Sequence, residues 1–430
     1  MLNIKVCANN TAIPQQQREL VAALQLPIIQ TLFNSAQDLL HTYQKALNPP
    51  YPFIFASKDC AALYGRTPQQ IVGLSDSVLY SEPQASQFTE EDRLVIETGK
   101  PNLHAHFDCA YNREKRWAID VKFLVKDPIT EIPTSLAGFS IRMDPSDPLA
   151  KALKRDVALY NALQKATQQG NFIPYLQPQI DRQGEIARAE NLIRWSRNNS
   201  IVPPDSFIGF AEQEGLIYEI GNSFLTNVCK NVTAWNTHPL LGKIRHSVNV
   251  SPKQIDMPFY TLLEKLKSEK KLDPQKIRLE ITETNFNIMQ QREEIKELMT
   301  RMHTELGITF AVDDFGKEYS SLARLKEYPI SEIKIDKIFI DGLLNKNNAT
   351  DIEIIKSIVG LAHNAYGCEV VAEGIEHQSQ YDILHELGID FFQGYLFSKP
   401  INESAFTELL SQNIIFSPQL NTRSPQSLPH

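Results

Sequence analysis

Between residues 171 and 412, short apolar runs alternate with stretches of helical spacing. The runs are FIPYLQP, IARAENLIRW, HSVNVS, IRLEITE, ITFAVDDF, EIKID, EVVAEGIE and FFQGYLF. Each suits a buried strand, and most of the gaps suit a helix. Ile295, Leu298, Met302 and Leu306, for example, line one helical face between the fourth and fifth runs. This alternation predicts an α/β fold, a (β/α)8 TIM-like barrel.

Upstream the pattern differs. Residues 14–47 carry helical stripes: Leu20, Val21 and Leu24, then, after Pro27, Ile28, Leu32, Ala36, Leu39 and Tyr43. Asn48-Pro49-Pro50 closes this N-terminal helical segment, 1–50. Residues 51–147 hold short runs such as Phe53-Ile54-Phe55, Trp117-Ala118-Ile119 and Leu136–Ile141. Helical patches lie near Asp59–Leu63 and Pro68–Val72. A small α+β domain is expected. Residues 148–170 read as a helical linker through Leu149, Leu153, Val157, Tyr160 and Leu163, too short for a coiled coil. From 413 to 430 a disordered tail is expected, with Ser417–His430 rich in Pro, Ser, Asn and Gln.

Composition narrows the class. The 430 residues carry 43 basic and 51 acidic side chains, a net charge of −8, with no basic block, so long nucleic acid is an unsuitable partner. No apolar run of about 18 residues exists to insert in a membrane. The start, MLNIKVCANNTAIPQQQ, lacks the features of a secretory signal. Five scattered cysteines form no disulfide framework, which fits a reducing cytoplasm.

Polar residues recur near the downstream ends of the barrel strands: Glu190, Asn249, Glu280, Asp313, Asp314, Lys334, Glu373 and Gln393. Strand ends converge on one mouth of such a barrel, where its chemistry occurs. Five carboxylates and an Asn gathered there repel one another unless cations neutralise them. An all-oxygen set selects Mg²⁺, Mn²⁺ or Ca²⁺, and the adjacent Asp313 and Asp314 suit a two-ion site for phosphodiester hydrolysis. A charge network with no catalytic task is the plainer alternative. A glycosidase is another, disfavoured because two acids suffice for that chemistry. Strand alternation puts Glu190, Leu192 and Arg194 on one face and Asn191 on the other; Lys334 shares a face with Asp336.

Two resemblances extend this reading. FIFASKDCAALYGRTPQQIVG and AGFSIRMD resemble the opening and the closing strand of PAS domains, which implies a PAS-like sensor domain over 51–147 with an unknown ligand or partner. The flavin-binding Asn-Cys-Arg motif is absent. His104 and His106 fit strand alternation better than haem ligation. From 171 to 412, FIPYLQPQI, AENLIRW, SVNVSPKQ, LEITET, AVDDFG, EIKIDKIFI, VVAEGIE and FQGYLFSKP resemble the EAL domain, the cyclic di-GMP phosphodiesterase. That resemblance implies hydrolysis of cyclic di-GMP to linear pGpG with Mg²⁺ or Mn²⁺, and a homodimer through the barrel. It implies Glu190, Asn249, Glu280, Asp313, Asp314 and Glu373 as metal ligands. Glu373 would also help to activate water, and Lys334 would hold the water or the phosphate. Gln177, Leu192 and Arg194 would contact the dinucleotide, while Asp336, Glu376 and Gln393 would shape the site. Gln177 equally suits satisfying backbone groups, and Gln393 suits a turn before Gly394. Glu283 has opposite strand phase to Glu280, which fits a loop-stabilising role.

Two departures stand out. Asn191 replaces the middle residue of the Glu-Ala-Leu motif, where it needs buried hydrogen-bond partners. Lys317-Glu318 replaces Thr-Gly in the loop after the fifth strand, and Glu takes a positive φ only with strain. The second departure opens another reading, a catalytically weak receptor for cyclic di-GMP.

Overall fold

A computed structural model describes residues 40–109, 115–127, 129–143, 148–289, 292–316, 325–345 and 348–418. The chain divides near residue 165 into two compact units, within the helix Pro148–Gln169.

The first unit is built on an antiparallel sheet of β1 (Leu40–Lys45), β2 (Phe53–Ala56), β3 (Asn102–Cys109), β4 (Lys115–Lys126) and β5 (Pro133–Met143), in the order β2-β1-β5-β4-β3. Residues 40–45 are thus a strand, where helical spacing predicted a helix to 47. Pairing with β5 along all six residues overrides the local pattern. Tyr43 lies opposite Gly138, and a Cβ there would come within 2.3 Å of the Tyr43 ring. The rest of the expected helical segment, 1–39, lies outside the described residues, as does the side chain of His106.

The helices Lys58–Ala62 and Pro68–Ile71 match the expected patches. The helix Glu82–Thr98 was not legible, because its buried stripe of Ala85, Phe88, Glu91, Asp92 and Val95 includes two acids. Those acids face buried lysines. Lys45 Nζ lies 2.5 Å from Asp76 and 2.7 Å from Asp92, and Lys122 Nζ lies 2.8 Å from Asp92 and 3.1 Å from Glu91. The space beside this network is about 20 Å³, room for one water. Asn161, on the helix Pro148–Gln169, donates to the Leu103 carbonyl at 2.6 Å.

The second unit is a closed barrel of eight strands: β6 (Phe172–Asp181), β7 (Ile186–Arg197), β9 (Arg245–Asn249), β10 (Ile277–Thr282), β11 (Thr309–Phe315), β12 (Ile330–Ile335), β13 (Glu369–Ala372) and β14 (Phe391–Phe392). A short β8 (Ser200–Val202) extends β7. All eight predicted runs contain a strand, although EVVAEGIE is one only over Glu369–Ala372 and FFQGYLF only over Phe391–Phe392. One feature differs from a regular (β/α)8 barrel: β6 is antiparallel to both β7 and β14. Only residues 182–185 join β6 to β7, too few for a crossover helix. Asp181 closes that turn by accepting from the Gln183 and Glu185 amides, each at 2.9 Å. Gly184 takes φ +83°, and a Cβ there would lie 2.0 Å from the Phe416 carbonyl. Residues 413–418, expected as disordered tail, are held at this turn. The Phe416 amide donates to the Gly184 carbonyl at 2.9 Å, and the Phe416 ring packs on Phe397. Residues 419–430 lie outside the description. Among the described residues, no helix is long and apolar enough to cross a membrane.

Candidate functional site at the barrel mouth

Strand ends bring the expected acids together. Glu190 comes from β7, Asn249 ends β9, and Glu280 lies in β10 opposite it. Asp313 and Asp314 lie in the last three residues of β11, and Glu373 follows β13. Carboxylate oxygens of Glu190, Glu280 and Asp313 form one group within 4.8 Å of one another, and those of Asp313, Asp314 and Glu373 form a second. The two groups share Asp313.

Lys334, from β12 and fully buried, sits among them. Its Nζ lies 2.6 Å from Glu373, 2.7 Å from Glu280, 3.1 Å from Asp313 and 3.4 Å from Glu190. The ammonium therefore answers part of the cluster's charge. Five carboxylates against one ammonium leave four acids without a cation of their own, in a site whose inner members Glu190 and Glu280 are buried. Electrostatics registers that excess. Burial, reinforced by Glu190 and Asp313, pushes the Glu280 carboxyl well above the usual range despite Lys334. Burial and Asp313 do the same to Glu373. Burial also opposes the charge on Glu190, but Lys334, with hydrogen bonds from Gln393 and Asn249, outweighs it and holds that carboxyl below the usual range. Burial disfavours the Lys334 ammonium too, yet Asp313, Glu190, Glu280 and Glu373 raise it well above the ordinary lysine value.

The donor set fits hard divalent cations. Oε1 of Glu280 is buried with no hydrogen-bond partner. Asn249 donates its amide to Glu190 Oε1 at 2.7 Å, which leaves its carbonyl oxygen as a ligand atom. Asp314 holds φ +55°, a conformation that Asp tolerates better than most residues, and its amide donates to Asp313 Oδ1 at 2.9 Å. Glu283 Oε2 accepts from the Gly316 amide at 2.9 Å, anchoring the start of the following loop. The Lys317-Glu318 departure in that loop lies outside the described residues.

Gln393 is more than a turn residue: its amide donates to Glu190 Oε2 at 2.7 Å and to Gln177 Oε1 at 3.2 Å. Gln177 also donates to the Ser398 carbonyl at 3.2 Å. Gln177, Leu192, Asp336, Glu376 and Gln393 line an open cavity of about 340 Å³ with Glu190, Asp314 and Glu373. Arg194 is not among its lining residues. Its guanidinium donates to the Ile193 carbonyl at 2.9 Å and packs over the Tyr175 ring, and burial lowers its pKa. Asp336 caps the helix Lys337–Gly342 by accepting from the Ile338 amide at 2.9 Å.

Sequence reasoning missed Lys337, Gly374 and Tyr395 in the same lining. Lys337 pairs with Glu376, and its side chain covers Gly374, where a Cβ would lie 2.4 Å from Lys337 Cγ. Their signals were adjacency to Asp336, Glu373 and Gln393. Asn191 is 1 % exposed; its amide donates to the Ser247 carbonyl at 3.1 Å and lies 3.3 Å from His246 Nδ1, while its own oxygen has no partner.

A profile of the EAL domain matches residues 160–400. Signaling protein YkoW of Bacillus subtilis is 33% identical over 58% of this chain and 30% of its own length. Cyclic di-GMP phosphodiesterase PdeR of Escherichia coli is 31% identical over 57% of this chain and 36% of its own. The chain thus spans about a third of those relatives. The solved structure of the PaMucR phosphodiesterase in complex with c-di-GMP superposes with a TM-score of 0.52 at 28% identity, covering 58% of this chain and 99% of that one. The EAL enzyme Bd1971, with cAMP and cyclic-di-GMP bound, gives 0.54 at 27% identity, over 66% of this chain and 85% of that one. With more than half of its length matched, and the acids of its matched motifs gathered at one barrel mouth, this chain belongs to the EAL domain family.

Proposed function

We propose that the barrel hydrolyses cyclic di-GMP to linear pGpG with Mg²⁺ or Mn²⁺ held by Glu190, Asn249, Glu280, Asp313, Asp314 and Glu373. The observation that carries this reading is the pair of acidic groups sharing Asp313, with charge left over after Lys334. Relatives named as cyclic di-GMP phosphodiesterases support the substrate. Bound divalent ions supply Lewis acidity toward the phosphate and toward water.

The chain's own residues do the rest. Gln393 and Asn249 fix both oxygens of Glu190. Glu373 accepts a proton from the attacking water, Lys334 offsets the charge that develops on the phosphate, and Gln177, Leu192, Asp336 and Glu376 line the dinucleotide's seat. A water oxygen–phosphorus bond forms, the phosphorus–O3′ bond breaks, and the departing O3′ takes up the proton that Glu373 removed from the water, leaving a 5′-phosphate and a free 3′-hydroxyl. The sheet order β2-β1-β5-β4-β3, with the helices between β2 and β3, supports a PAS-like fold for the first unit, and the proposal assigns that unit the regulation of the barrel. A cytoplasmic homodimer through the barrel completes the proposal.

The test is a product assay on purified protein with cyclic di-GMP and Mg²⁺ or Mn²⁺. Linear pGpG should form, and chelation or Glu190→Ala should abolish it; turnover that survives either treatment sinks the metal mechanism. Tight binding without product favours the receptor reading that Lys317-Glu318 motivates, and the double substitution Lys317→Thr with Glu318→Gly should then raise activity.

A further inference from the structure

The opposite end of the barrel is also charged, and the proposed reaction uses none of it. Arg188 Nη1 lies 2.5 Å from Glu332, and Nη2 lies 2.7 Å from Glu369. Arg278 pairs with Glu332 and lies 3.0 Å from Glu369. This four-residue network closes the barrel floor. Beside it opens a cavity of about 280 Å³, whose lining includes Arg245, Ser247, Lys276 and Gln275.

Charge and hydrogen bonding here are incomplete. Arg188, Arg278, Arg245 and Lys276 face only Glu332 and Glu369, an excess of two positive charges. Nearby Asp273 turns its carboxylate to its own loop, accepting from the Gln275 amide at 3.0 Å. Lys276 donates to the Gly242 carbonyl and has further protons to give. The Arg245 side chain makes no hydrogen bond or ion pair among the described residues. Ser247 supplies an independent sign. It is 6% exposed, and its hydroxyl has no partner. It pairs in parallel register with Glu190 and Arg278, whose side chains cross the interior, so its own side chain also points inward, into this space. A buried hydroxyl without a partner, beside unanswered cations, is a socket for an acceptor that carries negative charge.

We propose that this lower cavity binds a phosphate dianion, free or as a small phosphomonoester, with Arg245 and Lys276 supplying charge and the Ser247 hydroxyl donating. The volume exceeds that of a bare phosphate and leaves room for a short organic group. The site is independent of the hydrolytic reading of the upper mouth.

The test uses the full chain in chelator, so that no cation at the upper mouth takes up the anion. Inorganic phosphate is titrated calorimetrically at constant ionic strength, then glycerol 3-phosphate. Saturable binding of about one anion per chain is expected, weakened at least about tenfold in Arg245→Ala and Ser247→Ala. Tighter binding of glycerol 3-phosphate identifies the ester as the ligand class; equal or weaker binding identifies free phosphate. Absence of saturable binding to folded protein overturns the proposal, as does binding that both lower-cavity substitutions leave intact. Arg245 is exposed, so its variant keeps the test valid if Ser247→Ala misfolds.

Discussion

Glu280→Gln separates what the acidic cluster does for cation binding from what it does to the fold. Glu280 is fully buried; Oε2 meets Lys334 at 2.7 Å, and Oε1 has no partner. Glutamine keeps the shape and an acceptor for Lys334. Its amide places a donor where the glutamate presents an unanswered oxygen, in a cluster where carboxylate oxygens of Glu190 and Asp313 lie within 4.8 Å. Relieving a buried unsatisfied acceptor is worth about 1–3 kcal/mol. At about 2–4 °C per kcal/mol for a domain of this size, the variant should melt several degrees higher in chelator. Divalent ions should reverse the order. An ion at a hundred times its Kd adds about 2.7 kcal/mol to the wild type, and the variant, one ligand short, should gain much less. Calorimetric melting with EDTA and with Mn²⁺ reads both effects. A variant that melts lower in EDTA, or gains as much from Mn²⁺ as the wild type, refutes the view that Glu280 is a destabilising residue kept for cation binding.

Two further tests probe the scaffold. His246 is buried against Trp235, and burial followed by Lys276 lowers its pKa to about 3. The unfolded chain takes up a proton near pH 6.5 that the folded chain refuses, so stability is full above that value and falls as pH drops from 6.5 toward 3. The loss at pH 5 should be about 2 kcal/mol. Denaturant melts at pH 8 and pH 5 should show it, and a His246→Gln variant with an undiminished loss would exclude His246 as the cause. Gly184→Ala places a methyl against the Phe416 carbonyl at a positive φ, and should cost about 1–3 kcal/mol in urea unfolding. Truncation after Gln412 should remove the steric part of that cost; an equal penalty in the truncated chain would assign all of it to backbone strain.

Much of the barrel could be read from the chain because each strand is a short, nearly continuous apolar run with its polar residue at one end. Asp313 and Glu373, sixty residues apart, could be placed together on that logic alone. What local pattern does not record is partnership. The strand Leu40–Lys45 carries helical spacing and becomes a strand only through β5. The helix Glu82–Thr98 hides its inner face because Glu91 and Asp92 look exposed until the lysines opposite them are known. Arg194 shares a strand face with Glu190, yet its long side chain folds back on its own backbone, a choice of rotamer that alternation cannot specify. The links from Gln393 to Glu190 and Gln177 likewise depend on β14 closing onto β6.

Lys334 gives the barrel a counter-ion that never dissociates. A chain built this way can reach its native shape before it meets any metal, since one covalently attached positive charge already tempers the repulsion at the centre. The same arrangement loosens the tie between having the shape and having the chemistry. A descendant that lost a single liganding acid would shed turnover without shedding its architecture, and would persist as a folded module free to be recruited for sensing alone.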